Sequence, residues 1–206
     1  MNETDLFLRC ARAYVELVRA VGPADWTRPG LGEWDVRALV GHTTRALTTV
    51  VEYLAGAAPD SADVITAPEY FARFVASDDK AAADEAVAVR GHLAGTELGV
   101  DPALAVSSLV SEAERALAGA RPQQLVATRF GTLRLEEYLR TRTFELVVHG
   151  LDLVRAVGAP ADLVPRDGVA AALGLAAQTA AASGRGPAVL AALTGRTPLP
   201  DGFSLL

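Results

Sequence analysis

Cysteine, histidine and aromatic residues are scarce in this chain of 206 residues. A single cysteine, Cys10, excludes a disulfide framework and suits a reducing cytoplasm. Aromatics make up 6% of the residues, too few for a β-sandwich, which draws on Tyr, Phe, Ile and Thr. Basic residues do not outnumber acidic ones: 19 against 25 give a net charge of −6 and no electrostatic footprint for nucleic acid. No uninterrupted apolar run reaches membrane-spanning length, and the N-terminus opens on Glu3 and Asp5 rather than on a signal-peptide pattern. A cytoplasmic chain with no membrane partner is expected. There is also no G-x-S-x-G elbow, no P-loop, no dinucleotide fingerprint and no paired-cysteine motif.

Ala, Leu and Val are abundant, half of the residues are hydrophobic, and 18 Gly and 11 Pro serve mainly as punctuation. Residues 1–206 read as one all-α domain, with a bundle core over about 1–160 and accessory helices over about 161–206. Leu6, Cys10, Tyr14, Leu17 and Val21 recur at helical spacing until Gly22-Pro23. Trp26 to Trp34 reads as a loop, with both tryptophans packing at its ends. Asp35 is the expected N-cap of a second helix running to about Ala55. Gly56 to Asp78, broken by Pro59 and Pro68, reads as a connection with one short helix. A weakly patterned helix over Asp79–Leu98 and a clearer one over Pro102–Leu117 follow. Val126–Leu133 has β character and reads as one extended piece. The strongest helix is Leu135–Val157, closed by Gly158 and Pro160, with further helices over about 167–182 and 187–194.

The chemistry concentrates in that strongest helix. Phe144, Leu146, Val147, Val148, Leu151, Leu153 and Val154 cover roughly two-thirds of its circumference, which predicts burial on several sides. The remaining strip holds Glu145, His149 and Asp152, with Arg142 and Tyr138 above them. An unpaired buried carboxylate is costly, so Glu145 needs a partner. His149, four residues on, lies on the same face. The two could form a hydrogen-bonded pair or hold one cation. For the second reading a third ligand must come from another helix, and His42, seven residues into the second helix, is the candidate. Two histidines and one carboxylate leave a coordination position open, as catalytic metal sites do. Arg142 is a salt-bridge partner for Glu145 or an anion contact for substrate. Asp152 either orients His149 from behind or pairs with Arg155. His92 reads as solvated, and Cys10, on an apolar face, as an inert core thiol.

Two runs carry a family resemblance. Trp34 to His42 (WDVRALVGH), preceded by Arg28-Pro29-Gly30, and Arg142 to Leu153 (RTFELVVHGLDL) resemble the two motifs of the mycothiol-dependent maleylpyruvate isomerase family. That family is an actinobacterial branch of the DinB-like four-helix-bundle metalloproteins. The tail Gly195 to Gly202 (GRTPLPDG) extends the resemblance thinly along the chain. It implies a DinB-like four-helix bundle with accessory helices and a divalent metal, usually Zn2+, held by His42, Glu145 and His149. It also implies mycothiol as cosubstrate, its thiol activated as a thiolate by the metal. The family's isomerase carries an additional C-terminal domain for which this chain leaves no room. The implied activity is therefore S-transfer to, or isomerisation of, a small electrophile. The same three ligands would also serve a metal-activated-water hydrolase. A non-enzymatic metal-supported bundle that binds a ligand or dimerises is the third alternative, and the Ala- and Leu-rich C-terminal helices would suit a homodimer.

Overall fold

The computed structural model describes residues 2–57, 63–76 and 80–205. Asn2 opens the first helix, α1 (Glu3–Arg19), by accepting from the Asp5 amide at 2.8 Å, and Leu6, Phe7, Cys10, Tyr14, Leu17 and Val18 form its buried stripe. The segment expected to be loop holds a small antiparallel pair, β1 (Pro29–Leu31) and β2 (Trp34–Asp35). Asp35 then caps α2 (Val36–Ala55) by accepting from the Ala38 amide at 2.8 Å, as its position predicts.

The connection beyond α2 contains β3 (Val64–Ile65) and one short helix, α3 (Ala67–Val75), started by a Thr66–Glu69 capping box. Pro59 and the expected helix start at Asp79 lie outside the described residues. Two helices follow, α4 (Lys80–Glu97) and α5 (Pro102–Leu117), the latter capped by Asp101. The single extended piece expected over Val126–Leu133 is a hairpin, β4 (Leu125–Thr128) and β5 (Gly131–Arg134), paired in register Val126 with Leu133. Its turn uses Arg129-Phe130 followed by Gly131 at φ 138°, so no Asn-Gly or Asp-Gly dipeptide announced it. β3 joins the other edge of β5 in parallel.

The long helix α6 (Leu135–Val157) ends on Gly158 in the left-handed region (φ 69°), the conformation glycine adopts without penalty. α7 (Arg166–Ala182) and α8 (Gly186–Leu193) complete the chain.

The fold is an all-α bundle of the DinB-like kind, with two small sheets at its margins. α1, α5, α2 and α6 form a four-membered ring in which each helix packs on two neighbours. α4 lies along the outer side of α2, and α7 covers α6 and α3 and carries α8. α6 is therefore enclosed by α1, α2, α3 and α7, the burial that its nearly continuous apolar surface requires.

Small residues set the closest approach, which lies between α2 and α4. A Cβ on Gly95 would lie 2.8 Å from the Arg37 carbonyl oxygen, and one on Gly91 would lie 2.9 Å from the Trp34 indole. Weak amphipathicity in α4 thus reflects packing through backbone rather than through large side chains.

One buried polar contact ties α6 to α2. The Tyr138 hydroxyl donates to Thr49 Oγ1 at 2.7 Å, and Thr49 in turn donates to the Arg45 carbonyl at 2.6 Å. Tyr138→Phe leaves Thr49 its own acceptor and opens no large cavity. The expected loss is about 1 kcal/mol, read from the denaturation midpoint at unchanged m-value.

Candidate metal centre

β2 and the second helix reach the site through Trp34 and His42 respectively. Trp34 is 9% exposed, its indole N–H donates to the Ala88 carbonyl on α4 at 3.2 Å, and its ring lies 4.4 Å from the His42 ring. That stacking fixes the imidazole on the inner side of α2. The expectation that Trp34 merely packs at a loop end understates it: the indole is a wall behind His42.

α6 supplies the opposite side. The His42 and His149 rings meet edge to face with centroids 4.8 Å apart. His149 Nε2 lies 3.3 Å from Glu145 Oε2, the i to i+4 pair that helical spacing predicts. One ligand atom each from His42, Glu145 and His149 falls within a common 4.8 Å. Atoms bound to one divalent ion at about 2.0–2.2 Å must lie roughly this close together.

Burial and charge decide the protonation states. Burial, helped by the His149 charge, pushes His42 down to about 4, so its ring is neutral and has a free lone pair. Burial opposes ionisation of Glu145, but the His149 hydrogen bond and the Arg142 charge outweigh it and hold the carboxyl at about 2. For His149, burial likewise opposes the charged form. Hydrogen bonds to Asp152 and Glu145 prevail and raise it to about 9. His42 Nδ1 is buried without a hydrogen-bond partner among the described residues. Such an atom calls for a ligand, because buried polar groups are nearly always satisfied.

Asp152 does both things the sequence allowed. Its Oδ2 lies 3.2 Å from His149 Nδ1, and its Oδ1 accepts from Arg155 at 3.1 Å. A carboxylate behind a histidine fixes which ring nitrogen is left to face a ligand.

Arg142 departs from the simpler expectation. It makes no ion pair with Glu145 at bridging distance; its guanidinium lies over the Tyr138 ring at 5.1 Å and the Tyr70 ring at 5.7 Å, and Nε donates to Thr141. Tyr70 belongs to an aromatic group with Phe71 and Phe130 that sequence reading missed, because its members come from α3 and the β4–β5 hairpin. His92 is exposed, and Cys10 is buried at 3% with burial raising its thiol to about 12, so it is inert.

The arrangement can hold one divalent cation on a neutral imidazole, an ionised carboxylate and a second imidazole whose far nitrogen is braced. A family model for the mycothiol maleylpyruvate isomerase N-terminal domain matches residues 7–154, a span that contains His42, Glu145, His149 and Asp152. No curated protein and no solved structure matches the chain. With the match covering most of the chain and both polar motifs, the protein belongs to the mycothiol maleylpyruvate isomerase N-terminal domain family.

Proposed function

We propose that this protein is a divalent-metal-dependent enzyme that activates a low-molecular-weight thiol, mycothiol, for S-transfer to or isomerisation of a small electrophile. The observation that carries the reading is the convergence of His42, Glu145 and His149 within 4.8 Å, inside the family match. His42, Glu145 and His149 would hold the metal, with Zn2+ suited to the nitrogen and oxygen donors. A divalent ion bound there would favour the thiolate form of a thiol at neutral pH, which is the nucleophilic form.

The chain's own residues have distinct roles. His42 enters as a neutral ligand, held against Trp34. Asp152 takes the His149 Nδ1 proton as hydrogen-bond acceptor and so directs Nε2 to the site. Arg142 contributes positive charge one turn from Glu145. Cys10 is buried and its thiol protonated, so the reacting sulfur comes from outside the chain.

Zinc-loaded protein incubated with mycothiol and 1-chloro-2,4-dinitrobenzene is expected to form the thioether above the uncatalysed rate, and His149→Ala to return it to background. A wild-type rate no faster than mycothiol alone would remove thiol transfer and leave the hydrolase or binding-protein alternatives.

Residues 1–206 act as one cytoplasmic unit in this reading. No helix among the described residues is long and apolar enough to cross a membrane. Exposed Leu173, Leu190 and Leu193 on α7 and α8 support a homodimer through the C-terminal helices. Sedimentation velocity at micromolar concentration is expected to give a dimer; a monomer across that range would remove this partner.

A further inference from the structure

A second cleft lies on the far side of α6 from the candidate metal centre. Thr143 precedes Glu145 by two residues, about 200° around the helix, so the two side chains leave α6 in opposite directions. On the Thr143 side, α1, α6 and α7 border a cleft of about 230 Å3 whose walls include Glu3, Arg140, Thr143 and Gln178. α7 leaves it open by presenting small residues there: a Cβ on Gly174 would meet nothing within 4 Å.

Polar groups at this cleft go unsatisfied among the described residues. Thr143 is 2% exposed, yet its hydroxyl has no hydrogen-bond partner. Thr43 and Thr49, also buried in a helix, donate to the carbonyls one turn back, those of Leu39 and Arg45. The Thr143 hydroxyl does not turn back to Leu139, which leaves it for a ligand. Among the described residues the half-buried Glu3 carboxylate likewise has neither a hydrogen bond nor an ion pair, and burial pushes its pKa up. Arg140 is committed elsewhere. Its Nη1 donates to both Glu137 oxygens, at 2.8 and 2.9 Å, and its Nη2 to the Gln178 side-chain oxygen. That last bond sets the Gln178 amide so that its nitrogen remains as a donor.

Charge selects the occupant. Arg140 and Glu137 neutralise each other, so Glu3 lines the cleft as an uncompensated carboxylate, and Glu136 adds to the negative charge felt there. A bound cation would offset that cost. No aromatic ring of the described residues lines the cleft, so the cage that holds a quaternary ammonium is missing. A carboxylate beside a hydroxyl and an amide instead suits a cation that carries N–H donors. We propose that the α1–α6–α7 cleft binds a small hydroxylated primary amine, its ammonium paired with Glu3 and its hydroxyls meeting Thr143 and Gln178. The site stands apart from the candidate metal centre and needs no metal ion.

The probe is 2-amino-1,3-propanediol, titrated into the full chain, metal-free and zinc-loaded, and followed by amide NMR shifts. Saturable shifts are expected around Glu3, Thr143 and Gln178, with the same affinity in both forms. Glycerol, which puts a hydroxyl in place of the ammonium at equal size, should bind about tenfold or more weakly. Choline should be weaker by a similar factor, because its nitrogen has no proton to donate, and isopropylamine, which lacks the hydroxyls, should fall between. Glu3→Gln is expected to lower affinity for the amine about tenfold or more, with circular dichroism unchanged. Thr143→Val should lower it by a smaller factor while leaving the urea midpoint of the ligand-free protein no lower than wild type, since the lost hydroxyl had no partner. A wild type without saturable shifts, or Glu3→Gln binding as tightly as wild type, would overturn the site. Glycerol binding as tightly as the amine would overturn the charge assignment. Shifts centred on His42 and His149, or binding that requires zinc, would place the amine at the metal centre and overturn a separate cleft site.

Discussion

Gly41→Ala is expected to destabilise the protein by about 3 kcal/mol, the upper end for overpacking, and to weaken the candidate site as well. The added Cβ would meet the Gly95 Cα at 2.5 Å, with the backbone of Ala94 beside it, and no side chain can rotate away. Relief requires α2 and α4 to separate along their closest approach. That movement carries His42, the next residue, and loosens Trp34, whose indole is pinned to Ala88 on α4 and stacks on the His42 ring. Urea denaturation of the metal-free protein should show a lower midpoint at similar m-value. Gly32→Ala is a poor control because its φ is 56°. Gly174→Ala, with open space around the new methyl on α7, is a good one and should be neutral or slightly stabilising. Equal stability of Gly41→Ala and wild type would mean that the two helices do not approach as described.

Metal affinity is expected to rise about 50-fold between pH 7 and pH 9 and to level off about 100-fold above its pH 7 value. Of the three candidate ligands, His42 is already neutral above about 4 and Glu145 already ionised above about 2. Only His149, raised to about 9 by Asp152 and Glu145, carries a proton that the metal must displace. One displaced proton gives roughly a tenfold gain per pH unit until the folded-state value is passed. Calorimetry at pH 7 in buffers of different ionisation enthalpy should report about one proton released per ion bound. The metal-free protein should move the opposite way. A histidine raised in the folded state stabilises it fully below its unfolded value, near 6.5, and that contribution is lost as pH climbs through about 9. Metal-free stability should therefore decline from about pH 6.5 to 9 while the metal-bound form gains. Parallel trends in the two forms would place the titrating group elsewhere.

Much of this was legible from residues alone, and the gaps have physical causes. Asp35 announced α2 because a carboxylate in front of an apolar repeat is the usual solution for free helix amides. Gly158 closed α6 where the periodicity stopped. Glu145 and His149 were paired by spacing alone, since helical geometry is fixed. The β4–β5 hairpin was merged into one strand because its turn lacks the usual dipeptide. α4 reads as weaker than its neighbours in sequence, yet it packs closely on α2, because Gly91 and Gly95 contribute shape instead of hydrophobicity. Long-range partners were the least visible. Tyr70 comes to Arg142 through the packing of α3 on α6, which no local window contains.

The most direct test is the metal stoichiometry of untagged protein after chelation and reloading, measured by mass spectrometry of the folded chain at pH 8. One divalent ion per chain is predicted for wild type, none for His42→Ala, Glu145→Ala or His149→Ala, and uptake weakened about tenfold or more for Asp152→Asn, which removes only the brace behind His149. A folded wild type that takes up no ion, or single-ligand variants that load as fully as wild type, would contradict a metal centre at these three residues.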